Sequence, residues 1–283
     1  MNLKKLSNEE ARVILHKGTE APFSGEFYEN NRRGKYFCKQ CGAELFTSDD
    51  QFDSGCGWPS FDDEIPDSVN KVPDADGRRV EILCKKCDGH LGHIFHGEGI
   101  TTKDARYCIN SISLDFVEEK TPQNFEKTYF AAGCFWGVEN LLRKAKGVKS
   151  AISGYIGGAK ENPTYEEVCT KKTGHIEAVE IIFDPKETNF ETLAKLFFEI
   201  HDPEQTDGQG PDKGSQYISA IFYANENQKI IAEMLIKILE EKGLKIATKL
   251  IPAPHFWPAE LYHQNYYGKN GKTPYCHSWV KRF

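Results

Sequence analysis

At 283 residues, with 28% charged and 39% hydrophobic residues and a net charge of −6, the chain has the make-up of a soluble globular protein long enough for two ordinary domains. This composition excludes a disordered chain, offers no basic excess for nucleic acid, and contains no apolar run approaching a membrane span. The N-terminus lacks the apolar core of an export signal, so the nine cysteines point to metal and redox chemistry in the cytoplasm rather than to a disulfide framework.

In chain order, Ser7 followed by Glu10 forms a capping box that predicts a short helix through Leu15. From about Gly18 to Val117 short β segments are separated by Gly, Asn, Asp and Pro, which predicts an all-β domain over residues 1–118. Within it Ile112, Leu114 and Phe116 alternate with Ser111, Ser113 and Asp115, the period of a half-buried strand. Residues 119–127 are polar, contain Pro122 and have no periodicity, so they read as a linker.

The second domain, residues 128–283, alternates between the two periods. Strands are expected over 128–132, 148–155, 176–183 and 216–223, with helices over 138–146 and 190–200. That order is β-α-β-β-α-β, an α+β, ferredoxin-like arrangement with two helices covering one face of an antiparallel sheet. A further helix over 227–242, a strand around 245–251 and an aromatic-rich tail follow.

Two C-x-x-C knuckles, Cys38/Cys41 and Cys84/Cys87, supply the four thiolates that close a tetrahedral structural zinc site. Zinc there would tie distant loops together and substitute for core in a small β domain, and His90, three residues past Cys87, is not needed as a ligand. No organic cofactor is implied. Cys56 and Cys108 are left over: one suits a nucleophile and the other the thiol that traps its oxidised form as a disulfide, with His90 and His93 as proton carriers.

In the second domain Gly133-Cys134-Phe135-Trp136-Gly137 lies where a strand turns into a helix. Free N–H groups and the helix dipole favour a thiolate at Cys134, and Phe135 and Trp136 offer a ligand an aromatic wall. The glycines permit a tight turn and close approach of that ligand.

Pro22-Phe-Ser-Gly-Glu26, the knuckles, Ser54-Gly-Cys-Gly-Trp-Pro-Ser-Phe61, Gly89-His-Leu-Gly-His93 and Arg106-Tyr-Cys-Ile-Asn-Ser111 together resemble type B peptide methionine-R-sulfoxide reductases. The resemblance implies that Cys108 is the nucleophile and Cys56 the resolving cysteine. It also implies that Trp58 packs on the substrate methyl, that His90, His93 and Asn110 organise water and the sulfoxide oxygen, and that Arg106 favours the thiolate. Gly133–Gly137, Gly154-Tyr-Ile-Gly-Gly158, Pro163-Thr-Tyr-Glu-Glu-Val168, Gly174-His-Ile-Glu177, Gln209–Tyr217 and Tyr262–Tyr266 resemble the type A, S-epimer enzymes. That implies Cys134 as nucleophile, Glu177 as proton donor, Tyr165 and Tyr217 as its hydrogen-bonding partners, Asp212 in the same polar network, and Phe135 and Trp136 holding the methyl group.

The chemistry of the residues agrees with those roles. A sulfoxide is a poor target until its oxygen is protonated, which requires a carboxyl group kept neutral, and Glu177 lies in an apolar strand. For the thiol that resolves Cys134, Cys276 is preferred to Cys169 because a mobile terminus can reach the site. The expectation is a monomer that reduces both epimers of protein methionine sulfoxide and is recycled by thioredoxin, with no nucleic acid or membrane partner. The competing reading is a zinc-stabilised redox sensor or binding module, which has no need of the acid and phenolic residues.

Overall fold

The computed structural model describes residues 3–74, 77–119 and 124–283, and the chain divides into two compact units, Met1–Lys120 and Thr121–Phe283. Of the expected linker, residues 120–123 lie outside the described residues, while Glu126 already begins a strand.

The first unit opens with α1 (Asn8–Ile14), where Ser7 Oγ accepts the Glu10 N–H and the Glu10 carboxylate accepts the Ser7 N–H. Nine strands follow: β1 (Gly34–Cys38), β2 (Glu44–Thr47), β3 (Gln51–Phe52), β4 (Ser60–Phe61), β5 (Val69–Pro73), β6 (Val80–Cys84), β7 (His90–His96), β8 (Ala105–Ile109) and β9 (Leu114–Glu118). They form a three-stranded sheet, β2-β1-β9, and a six-stranded sheet, β3-β4-β8-β7-β6-β5, antiparallel throughout. Tyr36, Phe46, Phe61 and Ile82 fill the core, with the Phe46 and Phe61 rings stacked 4.5 Å apart.

The alternation over 111–116 is only partly a strand. Ser111–Ser113 forms a 3-10 turn and pairing begins at Leu114. The cause is competition for the backbone: the Glu20 carboxylate accepts the Ser111 and Ile112 N–H groups, and Ser113 Oγ donates to the His90 carbonyl. Cys108 consequently belongs to the preceding strand, β8.

The second unit contains β10 (Glu126–Ala132), α2 (Phe135–Arg143), β11 (Val148–Ile156), α3 (Tyr165–Cys169), β12 (Ile176–Phe183), α4 (Phe190–Glu199), β13 (Gly208–Gln209), β14 (Asp212–Lys213), β15 (Ser219–Tyr223), α5 (Glu226–Glu241), β16 (Lys249–Pro252), β17 (Phe256–Pro258) and α6 (Tyr266–Asn270). Six strands form one sheet in the order β16-β15-β10-β12-β11-β17, and β13 and β14 form a separate hairpin. The sheet is antiparallel except where β16 pairs parallel to β15, after the α5 crossover.

Strand periodicity divides the unit into layers. Phe130 and Ala132 of β10 face one cluster with Val138 and Leu142 of α2 and Leu193 and Phe197 of α4, whereas Tyr129 and Ala131 face another with Ala178, Phe222 and Phe256. Where two helices were expected over the first face, α5 joins them through Ala232, Leu235 and Leu239. The strand expected from 216 begins at Ser219, after a 3-10 turn, and the one expected from 245 begins at Lys249. Antiparallel pairing sets the C-terminal end of β10 beside the N-terminal end of β12, and Tyr155 pairs with Glu177. Cys134 and Glu177 therefore meet at one end of the two central strands.

Phe197 is fully buried, with its ring stacked 4.9 Å from that of Phe130. Phe197→Ala is expected to cost about 3–5 kcal/mol of stability, read as a lower urea midpoint at unchanged slope for this unit's transition.

Candidate active sites and metal centre

The two knuckles are built alike. Cys38 ends β1 and Cys84 ends β6, and in each the cysteine N–H donates to the carbonyl five residues on, while its carbonyl accepts the N–H four residues on. The turn closes through a left-handed residue, Gly42 (φ 70°) or Asp88 (φ 56°), types that tolerate that region. All four Sγ atoms lie within 4.8 Å of one another, with Cys38–Cys87 and Cys41–Cys84 both at 3.6 Å. A tetrahedron with Zn–S bonds of about 2.3 Å has S–S edges of about 3.8 Å, so the cluster is compatible with zinc.

An open cleft of about 110 Å³ in the same unit is lined by Trp58, His93, Cys108 and Asn110, and also by Thr19, Arg79 and Phe95, which the sequence did not single out. Strand register assembles it, since Cys108 pairs with Ser60 on one side and with His93 on the other. Cys56 Sγ lies 3.7 Å from Cys108 Sγ, and the Trp58 indole donates to the Glu20 carbonyl at 3.2 Å. His93 Nε2 is 2.8 Å from Asp74 Oδ2. His90 is not among the cleft residues: it is buried, bonded through Nδ1 to Glu81, and its ring touches that of His93 at 5.5 Å. Asn110 accepts the Glu20 N–H and donates to the Leu91 carbonyl.

The two thiols divide one charge. Cys56 is lowered to about 4 by its hydrogen bond to Cys108, helped by the Ser54 and Ser60 hydroxyls. Cys108 is pushed up by Cys56 and by burial, and Arg106 acts in the opposite direction without prevailing. Arg106 is itself held by Glu98 at 2.7 and 2.8 Å and lies over the Phe95 ring.

In the second unit Cys134 is the N-cap of α2, after Gly133 in the left-handed region (φ 80°), and is 8% exposed. The Phe135 N–H donates to Glu177 Oε2 at 3.1 Å, which fastens the carboxyl group beside the helix end that carries Cys134. Burial first, then Cys134, raise Glu177 well above the usual carboxylate range. Tyr165 and Tyr217 lie near each other, and both are pushed up by burial and by Glu177. Asp212 is also raised, by burial, and its Oδ2 is buried without a partner among the described residues.

The helix end alone does not decide the charge on Cys134. The neighbouring Cys276 thiol and burial push Cys134 up, against the Trp136 backbone N–H, while Cys276 is lowered by the presence of Cys134. Cys169 is the exposed last residue of α3, and the side chain that lowers it, against burial, is Tyr165. Nor does reach come from a loose tail. Glu199 holds it: its carbonyl accepts Val280 N–H at 2.7 Å, and its carboxylate accepts Arg282 N–H at 3.0 Å and the Trp279 indole at 3.2 Å.

Phe135 is 1% exposed and part of the core, whereas Trp136 is half-buried, stacked 3.7 Å on Tyr266 and donating to His263 Nδ1. Glu260, overlooked in the sequence, accepts both the Tyr165 N–H (2.7 Å) and the Tyr155 hydroxyl (2.8 Å). Helix α3, which presents Tyr165, was also missed, although Thr164 and Glu167 spell a capping box that forms.

The two units thus present a paired thiol at a cleft and a buried thiol beside a buried carboxyl group, arrangements suited to thiol-dependent redox chemistry. The family model described as peptide methionine sulfoxide reductase matches residues 126–283, and the SelR domain model matches residues 6–118. The peptide methionine sulfoxide reductase MsrA of Methanosarcina acetivorans is 49% identical over 177 residues, 62% of this chain and 94% of that protein. The MsrA of Sulfolobus acidocaldarius is 49% identical over 53% of this chain and 86% of its own length. Reduced Mxr1 from Saccharomyces cerevisiae is similar in structure, with a TM-score of 0.53 and 32% identity over 57% of this chain and 95% of that one. The chain belongs to the peptide methionine sulfoxide reductases, as a bifunctional enzyme with a SelR (type B) domain ahead of a type A domain. Among the described residues no helix is long and apolar enough to cross a membrane.

Proposed function

We propose that the two domains reduce opposite epimers of methionine sulfoxide, the first the R and the second the S epimer, through cysteine sulfenic acids resolved as intramolecular disulfides and recycled by thioredoxin. The observation that carries this reading is the buried carboxyl group of Glu177, fixed beside Cys134 and raised well above the usual carboxylate range by burial. In the second domain, whose four central strands we read as ferredoxin-like, Tyr165 and Tyr217 hydrogen-bond the sulfoxide oxygen and Glu177 protonates it. Cys134 attacks the sulfur, methionine leaves, and Cys134 is left as a sulfenic acid. Cys276 then displaces water to form the disulfide. Cys276 is the thiol that pushes Cys134 up, whereas Cys169 is exposed, and this supports the choice of Cys276. Trp136, over a floor of Phe135, would hold the methyl group, and Asp212 sets the polarity around the thiol pair.

In the first domain Cys108 is the nucleophile and Cys56 the resolving thiol, and the 3.7 Å between their sulfurs supports direct closure. The charge that rests on Cys56 makes it the acceptor for the Cys108 proton when substrate enters. Trp58 would pack on the methyl, His93 and Asn110 would organise the oxygen with His90 supporting His93 from behind, and Arg106 would stabilise the Cys108 thiolate. We further propose that Cys38, Cys41, Cys84 and Cys87 hold a structural zinc ion.

Three outcomes are expected. Assayed on resolved epimers with a dithiol reductant, Cys108→Ser should abolish only R-epimer reduction and Cys134→Ser only S-epimer reduction; loss of both from either change would refute two independent sites. Glu177→Gln should slow S-epimer reduction about a hundredfold or more. Because Glu177 is raised, its stabilising protonated form is full below the ordinary carboxylate range and is lost as pH rises through the raised value. Wild-type activity and stability should fall together on that alkaline limb, and the variant's stability should lack it, as read by pH-dependent rates and melts. Finally, Cys84→Ser should lose the one zinc equivalent measured by atomic absorption and destabilise the first unit, while unit-two activity persists.

A further inference from the structure

Immediately after Cys276 stands His277, a residue with no part in the chemistry above. Its Nδ1 lies 3.0 Å from Cys276 Sγ and its Nε2 lies 2.8 Å from the Ala132 carbonyl oxygen. A carbonyl oxygen only accepts, so Nε2 must carry the ring proton, and the neutral ring presents a lone pair at Nδ1. The Cys276 S–H is then the donor. The strand end that carries Ala132 leads two residues later to Cys134, so one backbone position sets both the nucleophile and this ring.

Gly137 also changes meaning. A Cβ at that position would lie 2.2 Å from His277 Nδ1 and 2.7 Å from its Cε1. What approaches this glycine is the imidazole of the chain itself, seated against the first turn of α2. The groups facing the ring are Asp212 from β14, Cys276 beside it, and His201 beyond the end of α4, itself held neutral by burial at about 3. Burial lowers His277 below the ordinary histidine range, against Ala132 and Asp212, so it is a free base at neutral pH.

We propose that His277 is the base for Cys276 in the step that closes the Cys134–Cys276 disulfide. The proposal rests on the reading of Cys276 as the resolving thiol. In the step, the Cys276 S–H gives its proton to Nδ1 and the thiolate attacks the Cys134 sulfenic sulfur. The S–S bond forms as the S–O bond breaks, and the departing hydroxide recovers the proton from His277 as water. Cys276 is oxidised and the Cys134 sulfur is reduced, so no outside oxidant is needed.

The test uses the full chain in a Cys108→Ser background, a peptide of the S epimer and no reductant. Rapid quenching follows methionine release, the Cys134–Cys276 bridge by peptide mapping, and sulfenic acid by dimedone. In the His277-containing protein the closure rate should be flat from pH 6 to 8. In His277→Gln the single-turnover methionine burst should be unchanged, while closure slows about a hundredfold, dimedone adduct accumulates, and the rate climbs with pH as the thiol ionises. Closure in His277→Gln at the parental rate and with a flat profile would overturn the proposal. If that variant shows no burst, the parental profile decides: a rate climbing steadily with pH from 6 to 8 overturns the proposal and a flat one supports it. A peptide map in which Cys134 bridges Cys169, or nothing, removes Cys276 from the reaction, a failure of the underlying reading recognised by the map rather than by the rates.

Discussion

Two thiols brought together in a partly dry pocket cannot both ionise, and this constraint governs each unit. The 3.7 Å pair in the first unit and the Cys134–Cys276 pair in the second each have one thiol pushed up and the other lowered. In both units the thiol pushed up, which gives its proton less readily, is the one that resembles the nucleophile. The surroundings are organised around moving that proton: Arg106 lies near Cys108, and Glu177 and Asp212 lie near Cys134. A carboxyl group beside Cys134 would be a hindrance if it were ionised. Burial in β12 raises it well above the usual carboxylate range, which favours an acid over a repelling charge.

The folds reach this result by different means. Among its described residues the first unit has short strands, a single α-helix of seven residues and four clustered sulfurs between distant turns. The second has a six-stranded sheet with three helices on one face, and its site collects where β10, β12 and α2 meet. Only a strand end and a helix N-terminus are needed to present Cys134, whereas Cys108 depends on neighbours in register across three strands.

Much of this was legible in the residues because it was local. The C-x-x-C spacings, the Ser7 capping box and the alternation of strand and helix after residue 128 depend on neighbours within a few positions. The misses came where distant partners intervened. Nothing near Ser111 announces that Glu20 will claim its backbone N–H, and nothing near Glu199 announces that it will grip the tail. His90 and His93 look equivalent in the motif, yet only His93 lines the cleft, because Glu81 and the packing around it draw His90 inward. The α3 helix is a different case, since its capping box was present in the sequence and went unread.

The clamp at Glu199 lies beyond Cys276, so the segment between α6 and the clamp is fixed at both ends. Its loop-closure entropy is surrendered when the chain folds, not each time the two sulfurs meet. The effective concentration of Cys276 at Cys134 is therefore that of a prepositioned pair rather than of a swinging arm, and it is set in part by a carboxylate that touches neither sulfur.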